Sequence, residues 1–177
     1  MYNGDIQDHE SVLLENFGDL SCFLSMFWDL SRYFGDAVCG VMAYSVGRIL
    51  GERLYKLAVK AGVEDLRSAN DFLVHAVKAL KLAKDAAVFM SRSEDGALEL
   101  FFRVSSSAQI CGKNSRPFFF IIRGVLFQFY TLLTSKMITI ASLDLSDMLN
   151  DCYEYVVKLS QSSPQPRFGK EVTTDGG

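Results

Sequence analysis

Few residues in this chain could carry chemistry. Its two histidines are His9 and His75, and His9 lies in the polar, acidic segment MYNGDIQDHE. A serine or cysteine nucleophile would need His75 as its base, and no motif locates a partner for it; a lone histidine on a helix reads as structural. The cysteines Cys22, Cys39, Cys111 and Cys152 are scattered, with no Cys-x-x-Cys or His-x-x-x-His pair to hold a metal. They read as free thiols of a reducing cytoplasm. Neither G-x-G-x-x-G nor G-x-x-x-x-G-K-[ST] occurs, so no phosphate cradle is expected. Glu94-Asp95 sits in a turn pattern and reads as solvated. Arg123 is the oddest polar residue, a single charge inside an apolar run, expected to meet a carboxylate or to extend to the surface. The expectation is a protein that is not an enzyme, with no cofactor and no metal.

Arg123 belongs to the stretch that organises the chain, Pro117 to Lys136, PFFFIIRGVLFQFYTLLTSK. Ser115 stands where an N-cap would, and Pro117 fits the first turn, where its missing N–H is not needed. A helix apolar all round is a membrane span or the buried centre of a domain. Arg123 near its middle would cost about 2.5–3.5 kcal/mol in a bilayer, and no flanking basic cluster supports a span. The stretch therefore reads as a central buried helix.

Three helices are expected before it. Leu13, Phe17, Leu20, Leu24 and Phe27 recur at helical spacing over Ser11 to Tyr33, and Phe23, Met26, Leu30 and Phe34 widen the stripe. Gly35 ends that helix and Asp36 is placed to cap the next. The second helix spans Ala37 to Ala61, with Gly62 as its stop. Its Ala43, Gly47 and Gly51 lie on one stripe. Each internal glycine costs about 1 kcal/mol of helix propensity, so another backbone is expected to approach closely. The third helix, Ser68 to Lys84, buries Phe72, Ala76, Leu80 and Ala83.

The period then shortens. Ala87 to Met90 is a short apolar run, Ser93 to Gly96 a turn, and Leu98 to Val104 alternates. After the central helix, Met137–Ala141 and Tyr153–Leu159 are the second pair, the latter alternating Tyr153, Tyr155, Val157 and Leu159 against Glu154, Val156 and Lys158. The predicted fold class is α+β: four main helices layered on one face of a twisted four-stranded antiparallel sheet, in the order ααα-ββ-α-ββ. One domain covers residues 11–159, after a polar segment 1–10 and before a tail, 160–177, of disordered composition.

The 177 residues carry a net charge of −3 and 49% hydrophobic residues, which gives no case for nucleic-acid binding. Residues 1–36 are acidic, with Arg32 the one basic side chain, whereas 48–84 are rich in lysine and arginine. The simple explanation is solvated helix faces; the sharper one is a basic surface for an acidic partner or an anionic membrane.

The segments YSVGRILGERLYKLAVKAG, EDLRSANDFLVHAVKALKL and FFFIIRGVLFQFY resemble the superfamily that joins TRAPP vesicle-tethering subunits to 4-vinyl-reductase-type domains. In that family a G-x-x-x-G helix precedes a further helix, a hairpin and a helix with a small-residue pair, here Arg123-Gly124. The resemblance covers about Phe17 to Leu159. It implies a dimer formed through helices and a hydrophobic tunnel for an acyl chain or small apolar ligand. Two features depart from the family: Val63 stands where TRAPP subunits of the best-known type carry an acylated cysteine, and only Cys111 and Cys152 lie in the half where sensor members hold a metal.

The leading expectation is a dimeric binding module whose pocket for a lipid or small hydrophobic ligand is lined by Ala43, Gly47, Gly51, Phe120, Gly124 and Phe127. The alternative is a structural subunit of a TRAPP-like tethering or scaffold complex. Either way Phe23, Phe27, Trp28, Leu30 and Phe34 are expected to form the dimer interface, because the first helix's apolar arc is wider than one core requires. The partners implied are a second copy or a related subunit, a lipid or small apolar ligand, and an anionic membrane surface or a small GTPase, with no nucleic acid. The localisation implied is the cytoplasm, peripheral to a membrane.

Overall fold

The stretch that is apolar on every side becomes a helix with no exposed side chain between Phe118 and Thr134. The structure, a computed structural model, describes residues 26, 29–30, 32–105, 116–144 and 152–159. Its labelled helices are α1 (Asp36–Lys60), α2 (Leu66–Ala79) and α3 (Arg116–Thr134). Its strands are β1 (Asp85–Arg92), β2 (Leu98–Ser105), β3 (Ile138–Asp144) and β4 (Cys152–Leu159). Met26, Asp29, Leu30, Arg32, Tyr33 and Phe34 are also helical, ahead of Gly35. The expected order ααα-ββ-α-ββ holds, and the fold is α+β. The remainder of the predicted first helix, the segment 1–10 and the tail 160–177 lie outside the described residues.

The sheet is antiparallel throughout, in the spatial order β1-β2-β4-β3. The final strand is thus inserted between β2 and β3. Leu100 pairs with Val157, and Val157 in turn with Ile140, so the alternation of three strands is in phase. Leu100, Phe102, Val104, Tyr155 and Val157 all point to the helices and are buried. Burying each such side chain stabilises by roughly 1.5–3 kcal/mol relative to exposure. The other face carries Arg103 paired with Glu154 at 2.7 Å and Lys158 with Glu99 at 3.3 Å.

Helix α3 lies between α1 and the sheet, so both of its sides are covered. Ile121, Ile122, Val125, Leu126, Phe129 and Tyr130 are fully buried. Two hydrogen bonds fasten it: the Tyr155 hydroxyl donates to the Phe119 carbonyl at 2.9 Å, and the Tyr130 hydroxyl donates to Asn70 Oδ1 of α2 at 2.7 Å. Burial pushes the Tyr130 phenol far above its ordinary pKa, so it stays a donor.

Several expected boundaries are corrected. Asp36 is the first residue of α1 rather than its cap; Gly35 occupies the cap position at φ +79 with no side-chain bond. Helix α2 starts two residues before Ser68, because Asp65 caps it by accepting from the Arg67 and Ser68 amides at 2.7 and 2.9 Å. It stops at Ala79, five residues before Lys84. There the Leu82 amide turns back to the Val77 carbonyl at 2.9 Å and Lys81 takes φ +55, while Leu82 and Ala83 remain buried. Strand β1 is longer than Ala87–Met90 because it pairs with β2 along its whole length. Strand β3 begins one residue later than Met137 and runs on to Asp144. The turn at Ser93–Gly96 is as expected: the Gly96 amide donates to Ser93 O at 2.8 Å, with Gly96 at φ +77.

Candidate functional site

The six residues expected to line a pocket come together at the crossing of α1 and α3. Their roles there differ. A Cβ placed on Gly47 would stand 2.1 Å from the Ile121 carbonyl oxygen and 3.0 Å from Gly124 Cα. One on Gly124 would stand 2.3 Å from Tyr44 O, and one on Gly51 2.5 Å from Val125 O. The missing side chains are therefore replaced by the backbone of the opposing helix. The stripe is a close helix contact, which is the first reason the spacing suggested for it. Ala43 is buried in the core beside it.

Phe127 and Phe120 lie at the two margins of the crossing. Phe127 packs against Tyr44, ring centroids 6.2 Å apart, and beneath the Arg48 guanidinium at 5.5 Å. Arg48 Nε also donates to Gln128 Oε1 at 3.0 Å, which ties the two helices at their surface. Phe120 sits over Gly40; a Cβ at Gly40 would meet its ring at 2.9 Å. Gly40 extends the stripe two helical turns before Gly47, a spacing visible in the sequence.

Beside Gly40 an open cleft of about 350 Å³ lies between side chains of the two helices. Its lining is Ala37, Gly40, Val41, Tyr44, Phe120 and Arg123. Of the six predicted pocket residues, Phe120 alone lines this cleft. Arg123 answers another expectation in part. Among the described residues it meets no carboxylate but a backbone oxygen, Nη2 donating to the Ile140 carbonyl of β3 at 3.2 Å, while it lines the open cleft as the alternative of reaching the surface would have it. Only the fold could reveal this, since the partner is an atom every residue has.

The remaining candidates occupy other places. His75 Nε2 is buried with no hydrogen-bond partner. Asp95 is not merely solvated: it accepts from the Ser93 hydroxyl and the Ala97 amide and pairs with Lys158 at 3.2 Å. The Ser93 bond chiefly, then the Ala97 amide and Lys158, hold its pKa down at about 2. Cys39 and Cys152 are buried free thiols, and burial raises the pKa of Cys152. Among the described residues no three or more His, Cys, Asp or Glu form a group that could hold a metal.

Of the expected dimer residues, Phe23, Phe27 and Trp28 lie outside the described residues. Leu30 is half-buried and Phe34 is 60% exposed. The exposed apolar surface continues onto the solvent side of α1 through Val38, Met42 and Ile49, with Val41 at the margin between that side and the cleft. No described helix is long and apolar enough to cross a membrane.

No family model and no curated protein matches the chain. Solved structures do. One is a trafficking protein particle complex subunit 3 from Naegleria fowleri covalently bound to palmitic acid, similar over 87% of this chain and 96% of that one, with 15% identity and a TM-score of 0.53. At that identity the likeness is one of fold, and the chain has a TRAPP-subunit-like fold.

Proposed function

We propose that this chain is a non-catalytic subunit of a multi-chain assembly of the vesicle-tethering kind. The observation that carries the reading is the outward side of α1. Its inner side is already buried against α3, yet Val41 is 69% and Ile49 56% exposed, with Val38 and Met42 between and beside them. A helix needs one apolar stripe to dock on its own core. A second, contiguous with Phe34, marks a contact with another chain. The fold shared with a trafficking protein particle complex subunit 3 supports the reading. A partner of the same fold, whether a second copy or a related chain, would present a matching helix pair across a two-fold axis. This reading puts the chain in the cytoplasm, with an anionic membrane surface or a small GTPase among the assembly's contacts.

Affinity capture from the source cell tests it, run in parallel on the parent and on Val41→Glu with Ile49→Glu. The expected result is a chain of the same fold recovered with the parent and lost with the variant. Both positions face solvent, so the variant should fold. Recovery of the parent alone would refute the assembly reading.

A second reading is favoured by the cleft beside Gly40: a small apolar ligand bound between α1 and α3. The structural neighbour is described as covalently bound to palmitic acid. Here Val63 offers no thiol at the position the resemblance assigns to acylation, so a ligand would not be held by a thioester at that position.

A further inference from the structure

One side chain in the cleft differs in kind from the rest of its lining. Arg123 brings a full positive charge to a wall otherwise made of Ala37, Gly40, Val41, Tyr44 and Phe120. The residue is half-buried, and among the described residues no carboxylate pairs with it. Its bond to the Ile140 carbonyl uses one N–H, whereas a guanidinium carries five. A cation removed from water without a counter-charge is costly, and an anion arriving from solvent offsets that cost. The planar fork of the guanidinium fits a carboxylate in two parallel hydrogen bonds. The other walls suit a flat apolar body: two rings, Tyr44 and Phe120, the latter seated over Gly40. At about 350 Å³ the cleft lies at the small end of ligand sites.

We infer that the cleft binds a small organic carboxylate with a flat apolar body, its carboxylate on Arg123 and its body against Tyr44 and Phe120. The inference rests on the ligand reading above and adds the ligand's charge and shape.

Isothermal titration of the full chain with 2-naphthoate and with its neutral counterpart 2-naphthalenemethanol tests it. The parent should bind the anion about ten-fold or more tightly than the alcohol, the effect of a hydrogen bond to a charged group. Arg123→Gln should remove that gap. Ala37→Phe, which fills the cleft from an exposed position, should remove binding of both. Equal binding of the two probes by the parent would leave the ligand reading standing and overturn the charged contact. Binding of neither would overturn both. Full binding by Ala37→Phe, or an undiminished gap in a folded Arg123→Gln, would place the site elsewhere and overturn the inference. Because the gap is measured on the parent, the test holds even if Arg123→Gln fails to fold.

Discussion

Replacing Gly47 by alanine adds one methyl group at the point where α1 and α3 touch. That Cβ would lie 2.1 Å from the Ile121 carbonyl oxygen, whereas ordinary contact begins at 3.4 Å. The helices must part by about 1.3 Å, because the obstacle is backbone and cannot rotate away. Helix α3 has no free direction of retreat, since the sheet lies behind it. Two effects oppose each other. Alanine raises helix propensity and restricts the unfolded chain, worth about 0.5–1 kcal/mol of stabilisation. Overpacking a close-fitting core costs about 1–3 kcal/mol, occasionally more. With a backbone obstacle on a buried helix the upper part of that range applies, so the net loss is about 2 kcal/mol. For a domain this size that lowers Tm by roughly 4–8 °C. Gly47→Leu should cost more. Gly124→Ala should cost a similar amount, and the double variant should cost less than the two together, because one parting of the helices relieves both clashes. Thermal and urea unfolding of the parent and the four variants provides the test. A Gly47→Ala protein as stable as the parent would show that the helices are not in backbone contact there, and would remove the reason for the stripe.

Tyr130→Phe leaves the buried Asn70 Oδ1 without its donor and should cost about 1–3 kcal/mol by urea unfolding, while Tyr130→Phe with Asn70→Leu should recover part of the loss. Asp65→Ala removes the α2 cap and should lower Tm by a few degrees, with Asp65→Asn retaining most of it; equal melting of all three would show that the cap is idle. Asp95 has a depressed pKa in the folded state, so its contribution to the hairpin is complete above the ordinary carboxylate pKa of 3.8 and lost as pH falls through about 2. Carboxyl NMR should show that titration in the parent and an upward shift in Ser93→Ala; an unshifted midpoint would remove the serine's role.

What the sequence shows of this fold depends on the range of the interaction. The alternation of Leu98–Val104 and Tyr153–Leu159 and the all-round apolarity of Pro117–Lys136 are local patterns, and each became the expected element. The spacing of Ala43, Gly47 and Gly51 told of a close approach, and the approach is there. The end of α2 was not legible, because Leu80, Leu82 and Ala83 stay apolar and buried after the helix stops, so composition does not change where the backbone does. The central position of β4 was not legible either, since both hairpin patterns fit several sheet orders. The cleft escaped for a related reason: it lies between residues of two helices far apart in the sequence, beside the place where Gly40 lets the Phe120 ring approach.

The strand order β1-β2-β4-β3 has a consequence for the chain as it is made. On the ribosome β1 and β2 emerge as a hairpin well before β4, which must later enter beside β2. Until then the inner edge of β2 offers unpaired backbone groups next to Leu100, Phe102 and Val104, a template for any other extended chain. The nascent protein is thus most exposed to misassociation during synthesis of the stretch between Ser105 and Cys152. Stalling there should expose a chaperone-binding intermediate, and release of β4 from the exit tunnel should end that exposure.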